Sequence, residues 1–250
     1  MLIARSEAFS EALGLLPSGK PLVVCLALLA SFISPASSAP GSERTIHLRF
    51  DGDLDGPSGL APATADGVRF GPGHEGQAAI VRRPAVLAYP ADGINTDAFT
   101  ISFSVRHEKS LADYYFRRLV YFWHETAEMK NRIGILKRAG TNSFVFFFSD
   151  NQGRAKGDNF GGDWFAMATA PIDWAPGSWH HLRCTADRSR GIAQFFIDGQ
   201  KVAEAAGTQF PQKLGNVFWV GTDQGHSWMR GAIDDLRIEP VSRLEPGPIA

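Results

Sequence analysis

Acidic residues occupy alternate positions in a short turn near residue 50, and their spacing suits a divalent cation. In "DGDLDG", Asp51, Asp53 and Asp55 precede Gly56, which matches the first half of a calcium-binding loop. Alternating carboxylate oxygens of this kind can meet at one hard cation. Pro62 stands where the loop needs a bidentate Glu, so an EF-hand is excluded. Two interpretations stay open, part of a calcium site or a solvated acidic turn.

Two glycine-rich segments, "GDNFGGDWF" and "GTDQGHSWMRG", place aromatic residues beside amides and carboxylates. Sites for small ligands combine aromatic walls with a few polar groups, and sugars fit this combination. Loops on a rigid scaffold are common positions for binding groups. The candidates for ligand contact are Asn159, Asp163, Trp164, Asp223, Gln224, His226 and Trp228. The alternative is that the two tryptophans fold back onto the core.

Catalytic signatures are missing from the sequence. In "HETAE", Glu128 stands where a zinc-protease helix needs its second histidine. There is no Gly-x-Ser-x-Gly elbow and no phosphate-binding glycine loop. There is also no Glu-x-Asp-x-x-Glu strand that would bring two carboxyl groups to about 5 to 5.5 Å, as retaining glycoside hydrolysis requires. We therefore expect no catalytic residues.

The segments between these candidates are predicted to be β-strands. The chain has 18 Phe, 26 Gly and 15 Pro, which favours short strands joined by tight turns. "RLVYFWH" and "SFVFFFSD" are apolar on both faces, so loops must cover the second face or it must form an aromatic surface. "AFTISFSVRH" alternates most clearly. Its predicted dry face consists of Phe99, Ile101, Phe103 and Val105. Its predicted wet face consists of Thr100, Ser102, Ser104 and Arg106. About twelve to fourteen strands without helices predict an all-β fold, a two-sheet antiparallel sandwich or jelly roll.

Turn residues divide residues 177–202 into three strands of an antiparallel meander. "DRSRG" forms the first turn, and Asp198-Gly199 forms the second. An Asp-Gly pair favours a type I′ turn, in which both central residues have positive φ. Cys184 lies on the apolar face of the first of these strands, which indicates a buried apolar residue rather than a nucleophile.

Residues 1–39 have the pattern of a signal peptide, with cleavage near residues 36–39. The basic Lys20 precedes a short apolar run, and the small-residue stretch "PASSAPGS" follows it. The run of about fourteen residues is short for a membrane span, which needs about 20. Residues 40–250 then form a single domain without a stable membrane span, in a secreted, periplasmic or cell-surface protein. An uncleaved N-terminal anchor is the alternative.

The charge balance excludes some classes of partner. There are 25 basic and 26 acidic residues, which gives a net charge of -1. Nucleic-acid binding proteins are usually strongly basic, so we expect no nucleic acid as a partner. The mature chain keeps one cysteine, Cys184, so no internal disulfide is expected.

Several segments together resemble the laminin G-like jelly roll of the concanavalin A-like lectin/glucanase superfamily. They are "FDGDLDGPSG", "FGPGHEGQA", "FTISFSVRH", "WAPGSWHHLRCTADRSRGIAQFFIDGQKV" and "GAIDDLRI", in the order and spacing of that family over about residues 44–239. The resemblance implies that Trp179, His180 and His181 belong to the scaffold. Adjacent strand residues point to opposite faces, so these two histidines do not form one metal clamp.

The same resemblance implies a ligand class and a metal. Members of the family often bind a structural calcium ion between the first and last strands. The predicted ligands here are Asp51, Asp53, Asp234 and Asp235. The expected function is an exported, non-catalytic domain that binds carbohydrate or another extracellular surface ligand. A structural or adhesive protein-interaction module is the alternative, and a glycoside hydrolase-like enzyme is less favoured. The expected partner is thus a glycan or an extracellular or cell-surface protein.

Overall fold

Fifteen strands and one short 3₁₀ turn make up the regular structure of the described residues. No helix in this part of the chain is long and apolar enough to cross a membrane. The proposed signal segment, residues 1–39, lies outside the described residues. The computed structural model describes five stretches, with the backbone alone for 164–168: residues 44–56, 59–127, 130–149, 164–207 and 209–246.

The strands form two antiparallel sheets, so the predicted all-β sandwich is confirmed. The eight strands of the first sheet are β1 Ile46–Leu48, β3 Arg69–Pro72, β4 Gln77–Val81, β6 Ala98–His107, β11 Trp179–Asp187, β12 Ile192–Ile197, β13 Gln200–Ala206 and β15 Gly231–Glu239. The seven strands of the second sheet are β2 Thr64–Asp66, β5 Val86–Pro90, β7 Leu119–His124, β8 Ile133–Lys137, β9 Phe144–Ser149, β10 Trp164–Ala168 and β14 Val217–Val220.

Chain order and spatial order differ in both sheets. The first runs β13-β12-β11-β6-β15-β4-β3, and β1 also pairs with β15. The second runs β10-β9-β8-β7-β14-β5-β2. The penultimate strand, β14, and the last strand, β15, therefore both lie inside their sheets. The loop that joins them, residues 221–230, crosses from one sheet to the other.

The predicted dry face of β6 lies in the core between the sheets. Phe99, Ile101, Phe103 and Val105 are fully buried there. Phe99 meets the opposite sheet edge-on at Phe146, with ring centroids 6.3 Å apart. Period-two alternation therefore identified the inward face of this strand correctly.

The predicted wet face of β6 is wrong for three of its four residues. Thr100, Ser102 and Ser104 are at most 8% exposed. The segment after β15 crosses this outer face, and the Thr100 hydroxyl donates a hydrogen bond of 2.8 Å to the carbonyl of Val241. A covered outer face was not visible in the alternation because the covering segment is distant in sequence.

The same segment docks on β11 and β12. The backbone N–H of Arg243 donates to the Thr185 hydroxyl at 2.8 Å. The Gln194 amide both donates to the carbonyl of Glu245 and accepts its N–H, each at 2.8 Å. Gln194 thus replaces a strand partner for this stretch of backbone.

The second sheet also has a covered outer face. Strands β7 and β9 were predicted to be apolar on both sides, and both sides are buried. We call the following five residues of its outer side the outer apolar cluster: Val120, Trp123, Leu136, Val145 and Phe147. Trp219 of β14 packs against this cluster and is only partly buried.

The predicted meander is confirmed as β11, β12 and β13, which pair in succession. Asp198 and Gly199 have φ of 51° and 80°, as a type I′ turn requires. The Asp198 carboxylate also accepts the backbone N–H of His181 at 2.8 Å and lies 2.7 Å from Nδ1 of His180. The His180 ring stacks on Trp174, with ring centroids 4.1 Å apart. The side chain of His180 therefore contacts other residues of the domain on two sides, at Asp198 and at Trp174.

Replacing Gly199 with valine should lower the free energy of unfolding by about 1 to 3 kcal/mol, because a β-branched residue is strained at positive φ. No atom lies within 4 Å of the position a β-carbon would take, so the loss would come from the backbone alone. Gly199→Asn is the matched control, since asparagine adopts this conformation more readily. Urea unfolding curves for both variants measure the difference, and equal stability would contradict the assigned turn strain.

Candidate functional site

A cleft of about 550 Å³ opens on the outer side of the second sheet, beside the end of β7 and the start of β14. Its walls come from the loop after β7, from the segment before β14 and from the β14–β15 loop. The residues in these walls with aromatic, amide or charged side chains are Glu125, Lys213, Asn216, Trp219 and Gln224.

Trp219 forms the aromatic wall of the cleft. Its neighbours in β14, Phe218 and Val220, are fully buried in the core, so alternation turns Trp219 to the outer side. It pairs with Trp123 of β7 on one side and with Ala88 of β5 on the other. Because only part of its surface is covered, one region of the ring is available for a ligand.

Trp123 lies beside Trp219 and carries an unused hydrogen-bond donor. Its Nε1–H is buried and has no acceptor among the described residues. The Arg118 guanidinium lies 4.8 Å from the centre of its ring, and Phe147 meets the ring edge-on at 5.4 Å. The ring is therefore held in place, although its polar atom is unsatisfied.

Glu125 supplies the carboxylate of the cleft. It accepts a hydrogen bond of 2.8 Å from Nε of Arg132, and both side chains are only 8% exposed. The amide nitrogen of Gln224 donates to the other carboxylate oxygen. This contact joins the β14–β15 loop to the end of β7.

His124 fixes the segment that leads into β14. Its Nε2 accepts the backbone N–H of Gly215 at 3.1 Å, so its Nδ1–H donates to the carbonyl of Val217 at 2.9 Å. Burial lowers the pKa of His124 from 6.5 to about 4, against the opposing effect of the Val217 carbonyl. The ring is thus neutral near pH 7, and its two hydrogen bonds hold this wall of the cleft in position.

The arrangement suits a ligand with both C–H faces and hydroxyl groups. Trp219 offers an aromatic surface, and Asn216 and Gln224 offer amides that both donate and accept hydrogen bonds. Lys213 adds a donor at the rim. These groups can bind and orient a sugar.

Four of the ligand residues predicted from the sequence lie on the β14–β15 loop. Of these four, Gln224 lines the cleft. Asp223 is largely buried and accepts a hydrogen bond of 2.6 Å from Arg118. His226 and Trp228 line a second pocket. Trp228 is half-buried, and its Nε1–H donates to the carbonyl of Ala85 at 2.7 Å.

The other predicted ligand residues lie largely beyond what the structure describes. Asn159 and Asp163 fall outside the described residues. Trp164 begins β10, where the backbone alone is described.

Two of the predicted calcium ligands support the turn between β3 and β4. An oxygen of Asp51 accepts the N–H of Gln77 at 3.0 Å. An oxygen of Asp234 accepts the N–H groups of His74 and Glu75 at 2.8 and 3.2 Å. Both carboxylates therefore satisfy backbone donors of the same turn.

Asp53 lines an open pocket of about 400 Å³ together with Asp51 and Asp55. Asp235, at positive φ in the bulge of β15, instead bonds to His47 and Arg237. Within the described stretches, no three His, Cys, Asp or Glu residues group closely enough to hold a metal. The four predicted ligands are not gathered at one point, and calcium binding stays a prediction.

Sequence reasoning missed Trp219 and Glu125. Trp219 lies in the apolar segment "NVFWVGT", and its alternation with Phe218 and Val220 is the signal that it faces outward. Glu125 was considered only as part of a rejected zinc-protease pattern. Its partner in the cleft, Gln224, is almost a hundred positions away in the chain.

A sequence model of the Laminin_G_3 family, in the concanavalin A-like lectin/glucanases superfamily, matches residues 85–245. No curated protein sequence matches the chain.

Solved structures share the fold at low sequence identity. Domain 4 of AbnA, a GH43 extracellular arabinanase from Geobacillus stearothermophilus solved in complex with arabinotriose, has a TM-score of 0.60 and 18% identity, over 79% of this chain and 92% of that domain. The botulinum neurotoxin serotype G binding domain has a TM-score of 0.60 and 13% identity, over 80% of this chain and 48% of that one. The binding domain of botulinum neurotoxin DC in complex with SialylT has a TM-score of 0.55 and 11% identity, over 82% of this chain and 49% of that one. This chain thus spans about half of each toxin binding domain.

Proposed function

The chain belongs to the Laminin_G_3 family of the concanavalin A-like lectin/glucanases superfamily, and from this premise we propose that it is a non-catalytic domain that binds carbohydrate in the cleft beside Trp219. The partly exposed ring of Trp219, next to the amides of Asn216 and Gln224, carries the proposal. An aromatic surface with convergent polar groups is the usual composition of a small-ligand site.

The solved structures support a sugar as the ligand class. The arabinanase domain was solved with arabinotriose and one toxin binding domain with SialylT. Both likenesses concern the fold, and function depends on the individual site. The proposal for this chain therefore depends on its own cleft.

The charges in the cleft support binding rather than hydrolysis. Among the described residues that line it, Glu125 is the one carboxylate, and it is paired with Arg132. Retaining glycosidases use two carboxyl groups about 5 to 5.5 Å apart. We propose that the domain acts outside the cytoplasm, as the pattern of residues 1–39 indicates, and that its ligand is a surface or extracellular glycan.

Replacing Trp219 with alanine should weaken glycan binding by about tenfold or more. A ring that loses about 100 Å² of contact forfeits roughly 2.5 kcal/mol before ordering costs are subtracted. A glycan array identifies the ligand of the unmutated chain, with calcium and with a chelator in parallel. Calorimetry then compares the dissociation constants.

Trp179→Ala is the matched control, because Trp179 is also half-buried but lies in β11 of the other sheet. It should leave the affinity unchanged. Melting curves show whether each variant is folded. If no glycan binds the folded parent chain, the carbohydrate proposal is wrong and the adhesive module becomes the better description.

A further inference from the structure

A second pocket is lined by other residues of the same β14–β15 loop, and its walls are basic. It has a volume of about 240 Å³. His226, Trp228 and Arg230 belong to the loop itself, and the neighbouring segments supply the other three cations. The pocket contains four arginines, Arg83, Arg117, Arg118 and Arg230.

Most of the positive charge in this pocket is not compensated. Arg118 pairs with Asp223 at 2.6 Å. Arg83, Arg117 and Arg230 form no ion pair with any described residue, and none of the described residues that line the pocket is acidic. The chain as a whole has a net charge of -1, so this concentration of like charge is local.

The pocket walls are held in place by specific contacts. The Lys137 ammonium, fully buried, donates to the backbone carbonyls of Tyr114, Tyr115 and Arg117 at 2.6, 3.2 and 3.2 Å. This fixes the segment that presents Arg117 to the pocket. On the other wall, the Arg83 guanidinium lies 5.7 Å from the centre of the Trp228 ring.

We propose that this pocket binds the anionic group of an acidic polysaccharide, a carboxylate or a sulfate ester. Guanidinium groups match the oxygens of both anions in a planar, bidentate geometry. An anion would also relieve the repulsion among the unpaired arginines. The inference rests on the proposed carbohydrate-binding function and specifies its ligand class.

The position of the pocket favours a polymer over a small anion. One loop contributes to both sites: Gln224 lines the cleft, while His226 and Trp228 line the pocket. Phe116, which is 84% exposed, adds an aromatic surface at the pocket rim. A chain of sugar residues can occupy the cleft and place a charged residue in the pocket.

The test compares polymers that differ in charge and in backbone. Affinity electrophoresis of the full chain uses polygalacturonate for carboxylates, dextran sulfate for sulfates, and arabinan and dextran as neutral polymers. Polyglutamate is the polyanion without sugar. Raising the salt from about 0.05 to about 0.5 M should weaken acidic binding, because it screens exposed charges.

Arg117→Ala and the double variant Arg83→Ala/Arg117→Ala test the pocket itself, since both side chains are exposed and their loss should be tolerated by the fold. Arg69→Ala is the control, because Arg69 is an exposed arginine in β3 of the first sheet and does not line the pocket. We expect the double variant to lose at least tenfold in affinity for one acidic polysaccharide and Arg69→Ala to lose none.

The outcomes separate this inference from the proposed function. Neutral binding that Trp219→Ala removes, with no preference for acidic polymers, would overturn the inference and leave the proposed function in place. Equal losses in the pocket and control variants, or equal binding of polyglutamate, would also overturn it as non-specific attraction. Binding of no polysaccharide at all would overturn both.

Discussion

The replacement of Gly231 by alanine should destabilise the domain by about 3 kcal/mol or more, at the upper end of the range for overpacking. An added β-carbon would lie 2.0 Å from the carbonyl oxygen of Arg106 and 3.0 Å from its carbonyl carbon. Both atoms are backbone in β6, the strand beside β15, so no side-chain rotation can relieve the clash. Chemical denaturation with a tryptophan fluorescence readout measures the loss.

Gly71→Ala is the control for this experiment. Gly71 also lies in a strand, but the nearest atom to its added β-carbon is the terminal Cδ1 of Ile80, at 3.2 Å. A side-chain end can move by a few tenths of an ångström, so the expected loss is about 1 kcal/mol or less. Similar losses in the two variants would show that β15 does not approach β6 as closely as described.

Acidification from about pH 6.5 to about pH 4 should remove several kcal/mol of stability, because two buried histidines are neutral in the folded chain. Burial lowers the pKa of both His107 and His124 from 6.5 to about 4. In this window the unfolded chain binds more protons than the folded one, so the free energy of unfolding falls as the pH falls. A shift of this size corresponds to roughly 3 kcal/mol for each histidine.

The surroundings of His107 make it the sharper probe of this effect. Its Nε2 lies 3.0 Å from the Tyr121 hydroxyl, and its ring stacks with Trp174 at 6.1 Å. His107→Gln cannot titrate, so it should be less stable at pH 7 but lose less on acidification. His226→Gln, at an exposed position, should keep the full pH dependence. A flat stability profile between pH 6.5 and pH 4 would contradict neutral buried histidines.

The sequence predicted which residues face inward better than it predicted what covers the other side. Alternation placed Phe99 and Phe103 in the core correctly, because the backbone of a strand fixes the direction of each side chain. It failed for Thr100, because the cover comes from Val241, far along the chain. The Asp198-Gly199 turn was predictable because an Asp-Gly pair locally favours the positive φ angles that the turn has.

The candidate cleft was predictable only in part for the same reason. Gln224 stood out through its glycine-rich surroundings. Glu125 gained its role only when the fold brought it to Gln224 and Arg132. Contacts between distant strands depend on sheet order, and outside the β11–β13 meander no local pattern in the sequence predicted that order.

The central position of β15 has a consequence for the newly made chain. Strand β6 ends at His107, and its neighbour β15 begins at Gly231, about 120 residues later. At about 5 to 20 residues per second, the ribosome needs on the order of 10 s to supply that partner. Until then β6 presents an unpaired edge that another nascent chain could join. A chain whose synthesis has not reached β15 therefore leaves this edge of β6 without its native partner.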